Sequence, residues 1–337
     1  MSGISDQLLA VSVLLYTFAM LGYAIEYAFG QRGAVSRIAG REAVLVGAGG
    51  ASDPMPSPGE SVTSPGDAET SLSDSRAALG GRIAVWLTAA GAAAHAGVLI
   101  TRALAAGRVP VGNMYEFVTT VCLVGTLAWL GLVIRRPALR HLGLFASLAT
   151  VILLGLAGMV LYTEVSPLVP ALNSYWLGIH VTAAATASGV FMVGFVVAAM
   201  YLLRQRYEAK LEAFDGPESE MIVAFPVSLG ARLPKSQTLE QVGFRLHVFA
   251  FPIWTFAVIC GAIWAEAAWG RYWGWDPKET WAFISWVVYA GYLHARATPS
   301  VRRPVTAWIA VLGWVTMMVN LFGVNLVISG LHSYAGV

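Results

Sequence analysis

An all-α, polytopic membrane protein with about eight transmembrane helices is the fold class this sequence predicts. Three observations predict it. The mean hydropathy is +0.66 and only 12% of the 337 residues are charged, a composition that no ordinary water-soluble globule shows. The apolar residues are gathered into runs of the length a helix needs to cross a hydrocarbon core about 30 Å thick. No alternation of apolar and polar residues of the barrel type interrupts them. Backbone groups cannot stay unpaired in lipid, so each run is read as a helix.

The runs fall at 8–29, 82–104, 114–134, 141–161, 175–203, 245–267, 280–295 and 306–330. The first has no basic flank and no clear A-x-A cleavage site, so it is expected to be a retained helix rather than a cleaved signal. Residues 47–79 are rich in Ser, Pro, Gly and Asp and bury too little apolar surface to order themselves. This divides the chain into an N-terminal transmembrane helix (1–29), a largely disordered cytoplasmic linker (30–80) and a membrane domain (81–337). The fifth run is long enough to tilt or to leave the bilayer, and the seventh is short. The mixed segment 204–244 leaves room for a short interfacial helix around Gln205 to Phe214. No fixed-period repeat is present.

Charge sets the expected orientation. Seventeen of the 21 cations fall in loops at one end of the runs; the other end carries only Arg102, Arg108, Arg271 and Lys278. By the positive-inside rule the seventeen face the cytoplasm, and both termini lie outside. The bias of Arg over Lys hints at a GC-rich bacterial genome and hence a bacterial cell membrane. A net charge of +2 is too small to suggest a nucleic-acid partner.

The most informative stretch is 264–281, W-A-E-A-A-W-G-R-Y-W-G-W-D-P-K-E-T-W, which holds five of the chain's twelve tryptophans. Two readings stand side by side. Indoles favour the headgroup zone and form aromatic belts. Flat indole faces beside Gly270 and Gly274 can also form a shelf for a large planar apolar ligand. Asp276, Pro277 and Glu279 have the spacing of a helix start: Asp as cap, Pro at the first position, Glu at the capping-box position.

Two cysteines, Cys122 and Cys260, lie inside apolar runs and read as buried small hydrophobes. Without C-x-x-C or C-x-x-C-H the chain is neither a thiol oxidoreductase of that type nor itself a c-type cytochrome. Six histidines remain, and ionisable residues at membrane depth are functional candidates. His180 sits about five residues into the fifth span, roughly 7 Å below its outer end. His332 lies just past the outer end of the last span. Both therefore sit at the level of the tryptophan loop. His294 lies roughly 20 Å further along the helix from Glu279, towards the other side. His247 opens the sixth span on that inner side, His141 reads as interfacial, and mid-span His95 reads as a hydrogen-bonding partner for a neighbouring helix.

The stretch 264–281 closely resembles the WWD signature of the haem-handling proteins of cytochrome c assembly. The resemblance is to their CcsA-type branch, the System II cytochrome c synthase subunit called CcsB in some bacteria. N-S-Y-W-L-G-I-H at 173–180, Y-L-H-A-R at 292–296, G-L-H-S-Y at 330–334 and G-N-M-Y-E at 112–116 add to it. The likeness covers roughly residues 80–337. It implies haem b as substrate and bound ligand, with His180 and His332 as axial ligands from outside. Trp264, Trp269, Trp273 and Trp275 would form the external platform, and His294 would belong to an inner haem site. From their placement alone, some of the four outer cations, Arg102, Arg108, Arg271 and Lys278, are read as clamping haem propionates, with Lys278 equally able to pair with Asp276 or Glu279 and shape the turn. Asp276 is counted with this haem-binding loop, its preferred role being to cap the helix that follows while the tryptophans touch haem. The implied partners are a ResB-like or CcsB-like companion subunit, an apocytochrome c bearing C-x-x-C-H, and thiol-reducing membrane proteins. The implied reaction is lyase-type thioether formation by a holocytochrome c synthase of which this chain is a subunit. A haem exporter or chaperone that makes no bond, and a transporter unrelated to haem, remain the alternatives.

Overall fold

The computed structural model describes residues 2–30, 65–166, 168, 172, 174–328 and 330–332. Among these residues there is no strand. Eight long helices follow one another among the described residues: α1 (Ser2–Phe29), α2 (Pro65–Ala106), α3 (Met114–Arg135), α4 (Gly143–Val160), α5 (Tyr175–Glu212), α6 (Ser236–Trp269), α7 (Pro277–Ala297) and α8 (Arg303–Met318). A π turn, Val319–Gly323, extends α8 into a last helical turn, Val324–Val327. Short 3-10 turns lie at Pro137–Leu142, Glu218–Glu220 and Val227–Arg232.

Seven of the described helices are long and apolar enough to cross a membrane. The exception is α7, expected as the short seventh span. Its 21 residues give it a length of about 30 Å, but Trp, Tyr, Ser, Lys278 and Glu279 dilute its apolarity. Two other boundaries also differ from expectation. Helix α2 starts at Pro65, so 65–80 is helical where linker was expected, and Ala77 is already packed in the bundle. The rest of that linker, 31–64, lies outside the described residues. Helix α5 continues unbroken to Glu212, so the stretch from Gln205, which left room for a short interfacial helix, is part of α5.

The helices run back and forth between two ends. At one end Tyr162 on the α4–α5 loop donates to Asp6 of α1, and Arg102 of α2 meets Glu116 of α3. At the other, Arg140 pairs with Glu26, Tyr27 donates to the Leu229 carbonyl, and Arg296 pairs with Glu240. The described cations segregate accordingly, with Arg102, Arg108, Arg271 and Lys278 at the first end. Helix α5 is the centre. In its most apolar stretch 78% of residues are buried, against 22–44% in the other spanning helices. It achieves this with small residues, Ala184, Ala187, Ser188, Gly189 and Ala198, which let neighbouring backbones approach where lipid supplies no hydrophobic drive. Phe191 of α5 stacks on Tyr289 of α7 at 3.7 Å, and Trp254 of α6 and Trp314 of α8 complete that layer.

One polar cluster ties down the start of α3. Asn113 caps the helix by accepting from the Glu116 amide at 2.8 Å. The Glu116 carboxylate takes Arg102 Nε at 3.2 Å, Arg108 Nη1 at 2.8 Å and the Gly112 amide at 2.8 Å. The Arg102 and Glu116 side chains have no exposed surface. Removing one partner of a buried pair leaves an uncompensated charge, so Glu116→Ala should cost about 3–5 kcal/mol. A clear fall in the unfolding midpoint of the detergent-solubilised protein checks this; an unchanged midpoint contradicts it.

Candidate functional site

The tryptophan stretch folds as the end of α6, a tight loop and the start of α7. Gly270 closes α6 in the left-handed conformation, φ 70°, which only glycine adopts without cost. The expected capping box is present at the other side of the loop. The Asp276 carboxylate accepts from the Lys278 amide at 3.1 Å, Pro277 opens the helix, and Glu279 accepts from the Asp276 amide at 3.1 Å. The same Glu279 oxygen accepts from the Gly274 amide at 2.8 Å. Its carboxylate therefore pins the backbone on both sides of Trp275, whose φ of 58° is strained for a residue with a side chain.

His180 and His332 come to this loop from opposite directions. Each is tied through Nδ1. His180 donates to the Ala257 carbonyl of α6 at 2.8 Å, and its ring stacks on Trp264 with centroids 6.1 Å apart and planes 11° apart. Gly261 makes this possible, because a Cβ there would lie 2.7 Å from the imidazole. His332 donates to Asp276 Oδ1 at 2.8 Å and meets Trp264 and Trp269 edge-on at 5.7 and 5.1 Å. A ring nitrogen that donates to a carbonyl or carboxylate carries the proton, so the neutral ring bears its lone pair on Nε2. Asp276 thus serves twice: it caps α7, and through Oδ2 it also takes the Leu331 amide at 2.7 Å. Burial opposes the charged carboxylate, but the bonds from His332, Leu331 and Lys278 outweigh it and hold Asp276 below the usual carboxylate range.

Both histidines border one cavity of about 1110 Å³, its open mouth included. Trp254, Trp264, Trp269, Trp273 and Phe117 contribute to its walls, with Lys278 and Glu279 at its polar side. Trp275 stands outside it. It is 66% exposed and packs edge-on against Trp273 and Phe283 at 5.8 and 6.3 Å. Lys278 borders the cavity and donates to the Asn320 carbonyl at 3.1 Å, rather than to Asp276 or Glu279. Arg271 lies over Gly274, where a Cβ would require its guanidinium to shift. Arg102 and Arg108 are held by Glu116 and do not border this cavity. His294 is exposed near the far end of α7, remote from the loop.

The other histidines have structural surroundings. His95 meets the Tyr16 hydroxyl of α1 at 3.3 Å, the interhelical bond expected of it. His247 is buried against Phe191, Tyr289 and Tyr292, and donates to the Gly243 carbonyl at 2.7 Å. His141 stacks on Tyr27. Both cysteines are buried and unpaired. Sequence reasoning missed the Asp276–His332 bond, the wall residues Trp254 and Phe117, and Asn113 and Asn320. An asparagine within an apolar run, as at Asn320, was the available signal.

The architecture and the cavity define a multi-pass helical membrane protein with an aromatic, imidazole-flanked site at one end. Residues 111–332 match the family described as cytochrome C assembly protein, and these limits take in every residue bordering the cavity, from Val111 to His332. The chain belongs to that family, which gives it a part in cytochrome c biogenesis. It is 34% identical over 243 residues to the cytochrome c biogenesis protein CcsA of Guillardia theta, covering 70% of this chain and 80% of the relative. The protein of that name from Microcystis aeruginosa is 33% identical over 280 residues, covering 71% of this chain and 83% of the relative. The Zea mays protein is 32% identical over 262 residues, covering 71% and 81%.

Asp276→Ala removes the cap of α7 and the clasp on residues 331 and 332 together. The cap alone is worth about 0.5–2 kcal/mol. Hydrogen exchange should accelerate at the first turn of α7 and at the Leu331 amide, while the α1–α2 pair is unaffected; equal protection in both proteins contradicts the assignment.

Proposed function

We propose that this chain binds haem b in the aromatic cavity through His180 and His332 and presents it for attachment to an apocytochrome c. The observation that carries this reading is the pair of imidazoles, from residues far apart in sequence, that border one cavity beside Trp264. Each has Nδ1 tied to an acceptor, which leaves Nε2 as the lone-pair nitrogen. Metal-binding histidines are typically oriented in this way, with the second nitrogen donating to a carbonyl or carboxylate. Imidazole is a common axial ligand for haem iron. Trp264, Trp269 and Trp273 supply flat apolar walls, and Lys278 on the wall and Arg271 over Gly274 of the loop are the cations for the propionates. The donor set and cavity shape fit the group.

Bound haem supplies two vinyl groups, across which the two thiols of an apocytochrome C-x-x-C-H add without any oxidant. This chain contributes position. His180 is fixed by Ala257 and Gly261, and His332 by Asp276, so the tetrapyrrole's orientation relative to an incoming peptide is set in advance. His332 is the more exchangeable of the two. It lies beyond the last helical turn, and the peptide's own histidine can take its place. Exposed Tyr272 borders the cavity, and exposed Trp275 lies beside the cavity residue Trp273, on the side where an unfolded peptide would approach.

The positive-inside rule puts the tryptophan end outside the membrane. His294 then lies towards the cytoplasmic side of α7. Tyr292 faces the core, and two residues further round the helix the imidazole faces out of this chain. That suits an inner haem site completed by a companion subunit of ResB type, as in a System II synthase.

His180→Ala or His332→Ala should sharply reduce the Soret band of the purified protein, and Asp276→Ala should weaken haem binding by about 10- to 100-fold. An unchanged Soret band in both histidine variants sinks the ligand assignment. Co-expression with the companion and an apocytochrome tests the reaction. Covalent haem on the apocytochrome supports attachment, whereas haem retained on this chain alone supports a carrier.

A further inference from the structure

The start of α3 holds more donors than acceptors. Glu116 receives Arg102 Nε, Arg108 Nη1 and the Gly112 amide, while the carbonyls of Thr163, Val109 and Ser166 take further guanidinium protons. Asn113 Oδ1 is committed to the Glu116 amide. Three buried donors are then left without a partner among the described residues: Arg102 Nη1, Arg108 Nε and Asn113 Nδ2. Charge is unbalanced in the same sense. Two guanidiniums, 0% and 12% exposed, surround a single carboxylate. They do so at a helix N-terminus, where the peptide dipoles add further positive potential. Unpaired buried donors are rare and call for an explanation.

Asn113 Nδ2 lacks an acceptor, and the neighbouring cavity is the side from which one can reach it. Gly112, Asn113 and Met114 border the aromatic cavity, so the cluster lies directly behind its wall, and Asn113 is itself only 6% exposed. We propose that Asn113 and the Arg102–Arg108–Glu116 cluster form a carboxylate subsite for the ligand of this cavity. Asn113 donates to the carboxylate, and the cluster's excess positive charge balances it. The proposal rests on the haem reading above, which makes the acid one propionate. Asn113 was absent from the sequence-derived set. The role of Arg102 and Arg108 becomes indirect: they supply charge from behind the wall rather than touching the ligand themselves.

Two variants separate the donor from the cap. Asn113→Asp and Asn113→Ser both keep a side-chain oxygen that can cap α3, but neither keeps the amide NH2. The full chain, purified in detergent without added lipid, is titrated with haemin and with haemin dimethyl ester, which lacks free acids. Charged hydrogen bonds of this kind correspond to about a tenfold or larger effect. Haemin affinity should fall by that factor in Asn113→Asp, and less in Asn113→Ser, with ester affinity unchanged in both. Unchanged ester binding also shows that each variant is folded. Equal losses for haemin and ester, or no loss for haemin, overturn the subsite while leaving haem binding intact. Failure of the wild-type chain to bind haemin at all overturns the haem reading, and the subsite with it.

Discussion

The Asp276 carboxylate is the contact on which the site's geometry depends. One oxygen accepts from the Lys278 amide and from His332 Nδ1, and the other takes the Leu331 amide. A short side chain thereby joins the first turn of α7 to a segment 55 and 56 residues further on. Gly330 permits the approach, since a Cβ there would lie 2.7 Å from Asp276 Oδ2. Without this clasp, His332 would be positioned only by the backbone beyond the last helical turn. With it, the imidazole is held edge-on to Trp264 and Trp269 with its proton on a defined nitrogen.

The opposite wall relies on a different kind of constraint. His180 belongs to α5, the most enclosed helix, and its ring is set by helix packing rather than by a loop. Gly261 leaves the gap on α6 into which the ring fits, and the Ala257 carbonyl one turn earlier fixes its rotation. The cavity therefore has one rigid imidazole, built into the bundle, and one held by a polar clasp at its rim. That asymmetry suits a site that must grip a ligand and later release one side of it.

Buried polar groups in the apolar bundle are paired in some places and left open in others, both at the cavity and away from it, where Tyr289 Oη and His247 Nε2 also lack a partner among the described residues. Ser12, Thr88, Thr126 and Ser188 return their hydroxyls to the carbonyl one turn back. Arg140 and Arg296 have carboxylate partners at the far end. In contrast, Asn113 Nδ2, Trp254 Nε1, Trp264 Nε1, Glu279 Oε1 and Asn320 Oδ1, all on residues bordering the cavity, have no partner among the described residues. Polar atoms of this kind are expensive to bury unless a ligand completes them.

The all-helical membrane architecture, the back-and-forth order of the helices and the segregation of cations are properties of composition and run length, and the sequence determined them by itself. It also determined the helix start at Asp276, because a capping box is local in the chain, and it marked His180 and His332 as residues at one level. The length of α2 and the unbroken course of α5 were less legible, since a polar stretch reads the same whether free or docked on a neighbour. Only the tertiary structure decided which tryptophans face the cavity. Trp273 and Trp275 are two residues apart in a loop with no helical or strand period, and a single left-handed residue sends one inward and the other out. It alone decided that Asp276 reaches His332, that Arg102 and Arg108 are absorbed by Glu116, and that Lys278 turns to Asn320. Each is a pairing across at least two elements, and only the packing of the helices brings the two partners together.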